Sequence, residues 1–218
     1  MQNAMEIARY NMIHQQIRPF KISDNNVVKV LETVNRLDFV PEAYRAQAYF
    51  DTTTPLACGQ CMLEPKGDAS ILQTLSIKPT DKILEIGTGS GYLTACLAAQ
   101  GQHVFSIELH QTLTEIAQKN LDAQNIQNIT LSTEDALKTW NDDEQYDVIA
   151  FTGSTQIIDD NWKTRLKQDG RLLIFVGTEP AEGVLITCTG PNQYTYKSMF
   201  DLNVPPLQET DADSAFIF

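Results

Sequence analysis

Three groups of residues in this 218-residue chain have the types and spacing to hold a nucleoside. The first is Ile83-Leu84-Glu85-Ile86-Gly87-Thr88-Gly89-Ser90-Gly91-Tyr92, an apolar run that ends in alternate glycines. Glycines at such a place let the backbone approach a ligand closely and adopt positive φ. The second is Glu108-Leu109, which closes the run Val104-Phe105-Ser106-Ile107. A carboxylate at a strand end can accept hydrogen bonds from both hydroxyls of a ribose. The third is Glu134-Asp135-Ala136, after Ile129-Thr130-Leu131, where an acidic side chain can take an adenine amino group. The glycine spacing is G-x-G-x-G. It is not the G-x-G-x-x-G that lays a pyrophosphate against a helix N-terminus.

An adenosyl ligand without phosphates satisfies all three groups, and S-adenosylmethionine in a class I methyltransferase site is the expected case. The cofactor-binding residues would be Gly87, Thr88, Gly89, Gly91, Glu108, Leu109, Asp135 and Ala136. Two other readings use the same residues: an NAD site, or a tight turn beside solvated acidic strand ends.

These residues need a scaffold that brings three strand ends together. From Pro79 onward the chain alternates strand and helix patterns. Strands are expected at 82–86, 104–107, 129–131, 146–151 and 171–176, and helices at 93–99, 112–123 and 160–168, with a turn at Asp169-Gly170 before the last strand. Such alternation means a doubly wound, mostly parallel, Rossmann-like sheet, an α/β fold whose ligands bind at the carboxyl ends of the strands. Gly183–Cys188, a turn at Gly190-Pro191-Asn192, and Tyr194–Leu202 predict an antiparallel hairpin. Before the sheet, residues 1–77 form a helical N-terminal segment. Ser23-Asp24 offers a helix N-cap, Pro41 opens a short helix over 42–48, and 51–68 reads as a loop. The core and hairpin, 78–218, are expected to form one structural unit with it.

Several segments resemble the protein-L-isoaspartate O-methyltransferase family. They are Met12-Ile13-His14-Gln15-Gln16-Ile17-Arg18, Asn35-Arg36-Leu37-Asp38-Phe39-Val40-Pro41-Glu42, Ala48-Tyr49-Phe50-Asp51 with Pro55-Leu56, the glycine motif, and Leu202-Asn203-Val204-Pro205-Pro206-Leu207. The resemblance implies methyl transfer from S-adenosylmethionine to the carboxylate of L-isoaspartyl residues in damaged proteins. The acceptor site would then be the loop Gly59-Gln60-Cys61-Met62-Leu63-Glu64-Pro65. There the chain departs from the family's G-Q-T-I-S-x-P. Leu63 stands at the serine position and offers no hydroxyl, and Cys61 replaces the threonine. No side chain is assigned a catalytic role from sequence. Backbone amides of residues 59–64 and the Lys66 ammonium are the candidates to face an anionic acceptor. The departure keeps two alternatives open: a small-molecule acceptor, or a catalytically retired homologue that only binds.

Composition sets the remaining bounds. Sixteen Lys and Arg against 28 Asp and Glu give a formal charge of −12, which disfavours nucleic acid and anionic membranes as partners. The N-terminus lacks the pattern of a secretory signal, so the cytoplasm is expected, with a monomer as the default and a dimer left open. Cys58-Gly59-Gln60-Cys61 has C-x-x-C spacing, but no second pair accompanies it, so no metal site is expected. Cys96 and Cys188 read as small buried hydrophobes. His103 and His110 read as exposed or capping residues, and Asn141–Glu144 as a solvated loop. The tail from Gln208 either docks or hangs free.

Overall fold

The computed structural model describes residues 2–138 and 140–207. The tail from Gln208 lies outside the described residues. The N-terminal segment begins with α1 (Gln2–Asn11), which runs on through a π turn at Met12–Ile17 and a 3-10 turn at Arg18–Phe20. Next comes α2 (Asn25–Thr33), capped as expected: Asp24 accepts the Asn26 N–H at 2.8 Å. Val27, Val30 and Leu31 fall on its buried face with Met12, Ile13 and Ile17. Residues 36–39 and 42–47 are 3-10 turns.

Two residues of β1 (Thr54–Pro55) pair antiparallel with two of β2 (Cys61–Met62) across a turn at Ala57–Gly59. The loop expected to run to residue 68 ends at Glu64, because Pro65 occupies the first turn of α3 (Pro65–Leu75), where its fixed φ and missing N–H cost nothing.

The sheet follows in order: β3 (Lys82–Ile86), α4 (Tyr92–Ala98), β4 (His103–Glu108), α5 (Gln111–Ala123), β5 (Ile129–Thr133), β6 (Tyr146–Thr155), α6 (Asp160–Thr164), β7 (Leu166–Val176), β8 (Ala181–Gly190) and β9 (Gln193–Leu202). Spatially the strands run β5-β4-β3-β6-β7-β8-β9. The first five are parallel, and β8 and β9 return as the antiparallel hairpin. The chain leaves β3 toward β4 on one side and reaches β6 on the other. The crevice therefore opens over the carboxyl ends of β3, β4 and β6.

Alternation along β3 feeds both faces. Ile83 packs under α3 and α4, while Leu84 and Ile86 join Phe151, Trp162 and Ile174 on the opposite side. Two expectations change here. Helix α6 stops at Thr164 rather than residue 168, and Asp169-Gly170 is an irregularity inside β7, with Asp169 at φ +61°, rather than a turn before it. Asn141–Glu144 is the largely exposed loop expected, tied down at two points. Asp142 accepts from Arg165 and from the Tyr146 hydroxyl, both at 2.6 Å, and Glu144 pairs with Lys82. The chain finally crosses the end of β6. Ser154 N–H donates to Pro205 O and Leu207 N–H to Ser154 O, each at 2.9 Å.

Candidate cofactor and acceptor site

Beyond Ile86 the backbone must turn without side chains in the way. Gly87 has φ +97°, and a Cβ there would run into Thr152 Oγ1, whose hydroxyl donates to Gly87 O at 2.8 Å. Gly89, at φ +56°, faces the crevice, and its N–H donates to Glu108 Oε2 at 2.9 Å. Gly91 turns the other way, where a Cβ would press on Leu121 and Ala117 of α5 at 3.2–3.3 Å. It serves the packing of α5 and does not line the crevice.

Glu108 Oε1 accepts the His110 N–H at 3.1 Å, so backbone donors orient both of its oxygens and leave each a further lone pair. Asp135, also buried, accepts the Leu137 N–H at 2.9 Å. These residues, with Thr88, Leu109 and Ala136, line an open cleft. The far wall is Gln60, Cys61, Met62 and Leu63, and Thr152, Gly153 and Pro205–Leu207 close one side. Gly59 lies at the hairpin tip outside that lining.

Beneath Leu63 lies a charged pair that the sequence reading left out. Arg36 is 1% exposed. It donates to Asp68 Oδ2 and to Leu63 O, each at 2.6 Å, and to Ala48 O at 3.1 Å, with its guanidinium 5.0 Å from the Tyr92 ring centre. Arg36 and Asp68 both reach the cleft lining. Burial raises Asp68 to about 7, and the guanidinium offsets only part of that cost. Arg36 stood in a segment that carries the family resemblance, which was its one signal. Asp68 stood in what read as loop. Lys66, the expected ammonium, points elsewhere: it pairs with Asp51 at 2.6 Å and sits 4.7 Å from the Phe20 ring centre.

An adenosyl cofactor fits this geometry. The bare Gly89 leaves room for a ligand at the loop, and Glu108 presents spare acceptors where vicinal hydroxyls would lie. Residues 8–196 match the family described as protein-L-isoaspartate(D-aspartate) O-methyltransferase. The chain belongs to that family. Protein-L-isoaspartate O-methyltransferase 2 of Marinobacter nauticus is 34% identical over 201 residues, covering 91% of this chain and 92% of the relative. The Methylorubrum populi protein-L-isoaspartate O-methyltransferase is 30% identical over 203 residues, covering 93% and 95%. A Plasmodium falciparum structure, named as such a methyltransferase in complex with S-adenosyl-L-homocysteine, superposes with a TM-score of 0.80 at 21% identity, covering 91% and 97%. That likeness shows the fold of the family.

The cysteines of this family member divide as their positions suggest. Cys96 and Cys188 are buried, Cys58 is exposed at the hairpin tip with φ +57°, and Cys61 lines the cleft. Burial raises the Cys61 thiol, with Glu179 adding to the shift. Among the described residues no three His, Cys, Asp or Glu side chains cluster as metal ligands, and no helix is long and apolar enough to cross a membrane. His103 shares a hydrogen bond with Thr130 Oγ1 at 2.9 Å, and His110 precedes α5 and borders the cleft.

Proposed function

We propose that this protein methylates the carboxylate of L-isoaspartyl residues in damaged proteins, with S-adenosylmethionine as donor. The observation that carries the reading is the Glu108 carboxylate, oriented by Gly89 and His110 beside the open glycine loop, in a chain of this family. When bound, S-adenosylmethionine supplies a methyl group already activated on a sulfonium. Glu108 would hold the ribose hydroxyls and Asp135 the adenine amino group. Gly87, Thr88 and Gly89 would let the ligand lie against backbone.

On the acceptor side, Arg36 fixes the Leu63 carbonyl and so the path of the 60–63 wall. Met62 and Leu63 exclude water there. A carboxylate would be its own nucleophile toward that activated methyl group, and no general base would be needed. Alignment and dryness then supply most of the rate. All four cysteines are free, which suits a reducing compartment such as the cytoplasm. We treat 1–77 as the acceptor-side segment of one unit with 78–218, acting as a monomer.

A second reading, another acceptor class, has its own support. Leu63 offers no hydroxyl, Arg36 is committed to Asp68, and Lys66 to Asp51. Labelled methyl transfer to an isoaspartyl peptide and its aspartyl twin decides between them. Isoaspartyl-selective turnover is expected in the native protein, rising after Leu63→Ser restores a hydroxyl. Turnover only after Leu63→Ser would mean that the fold accepts the peptide while the natural acceptor is different. Calorimetry that found tight NAD binding and no S-adenosylhomocysteine binding would sink the cofactor assignment.

A further inference from the structure

Glu85 lies in β3, two residues before Gly87, and is wholly buried. Its Oε2 lies 2.5 Å from the Thr94 hydroxyl of α4 and 2.6 Å from the Ser106 hydroxyl of β4. Ser106 Oγ is in turn 2.6 Å from Thr88 Oγ1, and Thr88 lines the cleft. Glu85 Oε1 has no hydrogen-bond partner among the described residues.

These surroundings set its charge. A bare carboxylate oxygen in a dry interior is costly. The ionisable groups that face it are Glu108 of β4, Asp68 of α3 and Cys96 of α4, while β6 places Ala150 opposite. None is a cation, and Arg36 is engaged by Asp68. Burial pushes Glu85 up to about 8, so at neutral pH it is mainly the uncharged acid.

An uncharged acid has a proton to place, and each hydroxyl has one to give. With Thr94 still donating to Oε2, the acid proton on that oxygen would be given to Ser106, Ser106 would donate to Thr88, and the Thr88 proton would be left to point into the cleft. When Glu85 gives its proton to solvent, Ser106 turns back to donate to Oε2 and Thr88 donates to Ser106. Only lone pairs of Thr88 then face the cleft.

We propose that Glu85 is a positioning residue for the cofactor: acting through Ser106, it aims the Thr88 proton into the cleft to receive the carboxylate at the aminoacyl end of the S-adenosyl ligand. This rests on the cofactor reading above. A fixed donor suits an anionic group, and a fixed acceptor repels one.

Calorimetric titration of the full chain with S-adenosylhomocysteine from pH 6.5 to 9.5 tests it. The native protein is expected to lose about tenfold in affinity across that range, the scale of one hydrogen bond to a charged group. Glu85→Gln keeps an N–H donor toward Ser106 at every pH, and its profile is expected to be flatter by that factor. Ser106→Ala cuts the relay. It is expected to bind about tenfold more weakly at pH 6.5 and to vary no more with pH than Glu85→Gln. The ligand's own ammonium titrates equally in all three, so the difference isolates Glu85. Parallel profiles for the native protein and Glu85→Gln would overturn the relay and leave the cofactor reading standing. If Glu85→Gln does not fold, a native-like profile from Ser106→Ala overturns the relay. Absence of binding by any form at any pH overturns both.

Discussion

Replacing Arg36 by Ala is expected to cost about 3–5 kcal/mol of folding stability, the scale for removing one partner of a buried ion pair. The side chain is almost fully buried and satisfies Asp68, the Leu63 carbonyl and the Ala48 carbonyl at once. Its loss leaves a carboxyl and two carbonyls without a donor, next to a void under Tyr92. The cost depends on pH. Burial already holds Asp68 at about 7, and without the guanidinium it rises further. An acid whose folded pKa is raised stabilises the fold fully below its unfolded value near ~4, and that contribution is lost as pH climbs through the folded value. Arg36→Ala should therefore be least harmful near pH 5 and most harmful above pH 8. Urea denaturation at both pH values measures this, and an equal loss at the two would contradict it. Replacing the whole pair, Arg36→Met with Asp68→Leu, should recover most of the stability, because apolar side chains carry no desolvation cost.

Glu108→Ala is expected to weaken S-adenosylhomocysteine binding by about 3 kcal/mol, or roughly a hundredfold in Kd. Two effects act together. On the proposed cofactor reading the ribose hydroxyls would lose a charged acceptor, and the N–H groups of Gly89 and His110 would lose the carboxylate that fixes the loop. Glu108→Gln retains one carbonyl acceptor but cannot accept from both backbone donors and both hydroxyls, so it should fall between the two. Calorimetry on the three proteins orders them, and a Kd unmoved by Glu108→Ala would remove this residue from the cofactor site.

What the sequence made legible follows from locality. The strand-then-glycine pattern at 83–91 and the acidic strand ends at Glu108 and Asp135 are short-range signals, and the structure gathers them over adjacent strand ends. The Arg36–Asp68 pair spans 32 positions, and no period or spacing links its members. Asp68 was further hidden by Pro65 and Gly67, which read as loop chemistry although Pro65 starts a helix. Asp169-Gly170 misled in the same way, because a positive-φ residue before a glycine suits a bulge within β7 as well as a turn. Gly91 carried the motif's spacing, yet its missing side chain makes room for α5. The charge of Lys66 is plain in the sequence, but its direction depends on Asp51 and Phe20.

The crossing of Pro205–Leu207 over the end of β6 makes one wall of the cleft depend on a segment remote in sequence from the rest of it. Gly153 lacks the Cβ that would strike Leu207 and the Pro205 carbonyl, so the late segment can settle against β6 and wall the cleft. Arg36, the glycine loop and Glu108 all lie far upstream of that wall in the chain. A chain shortened before Pro205 would keep the glycine motif without the enclosure that residues 205–207 provide.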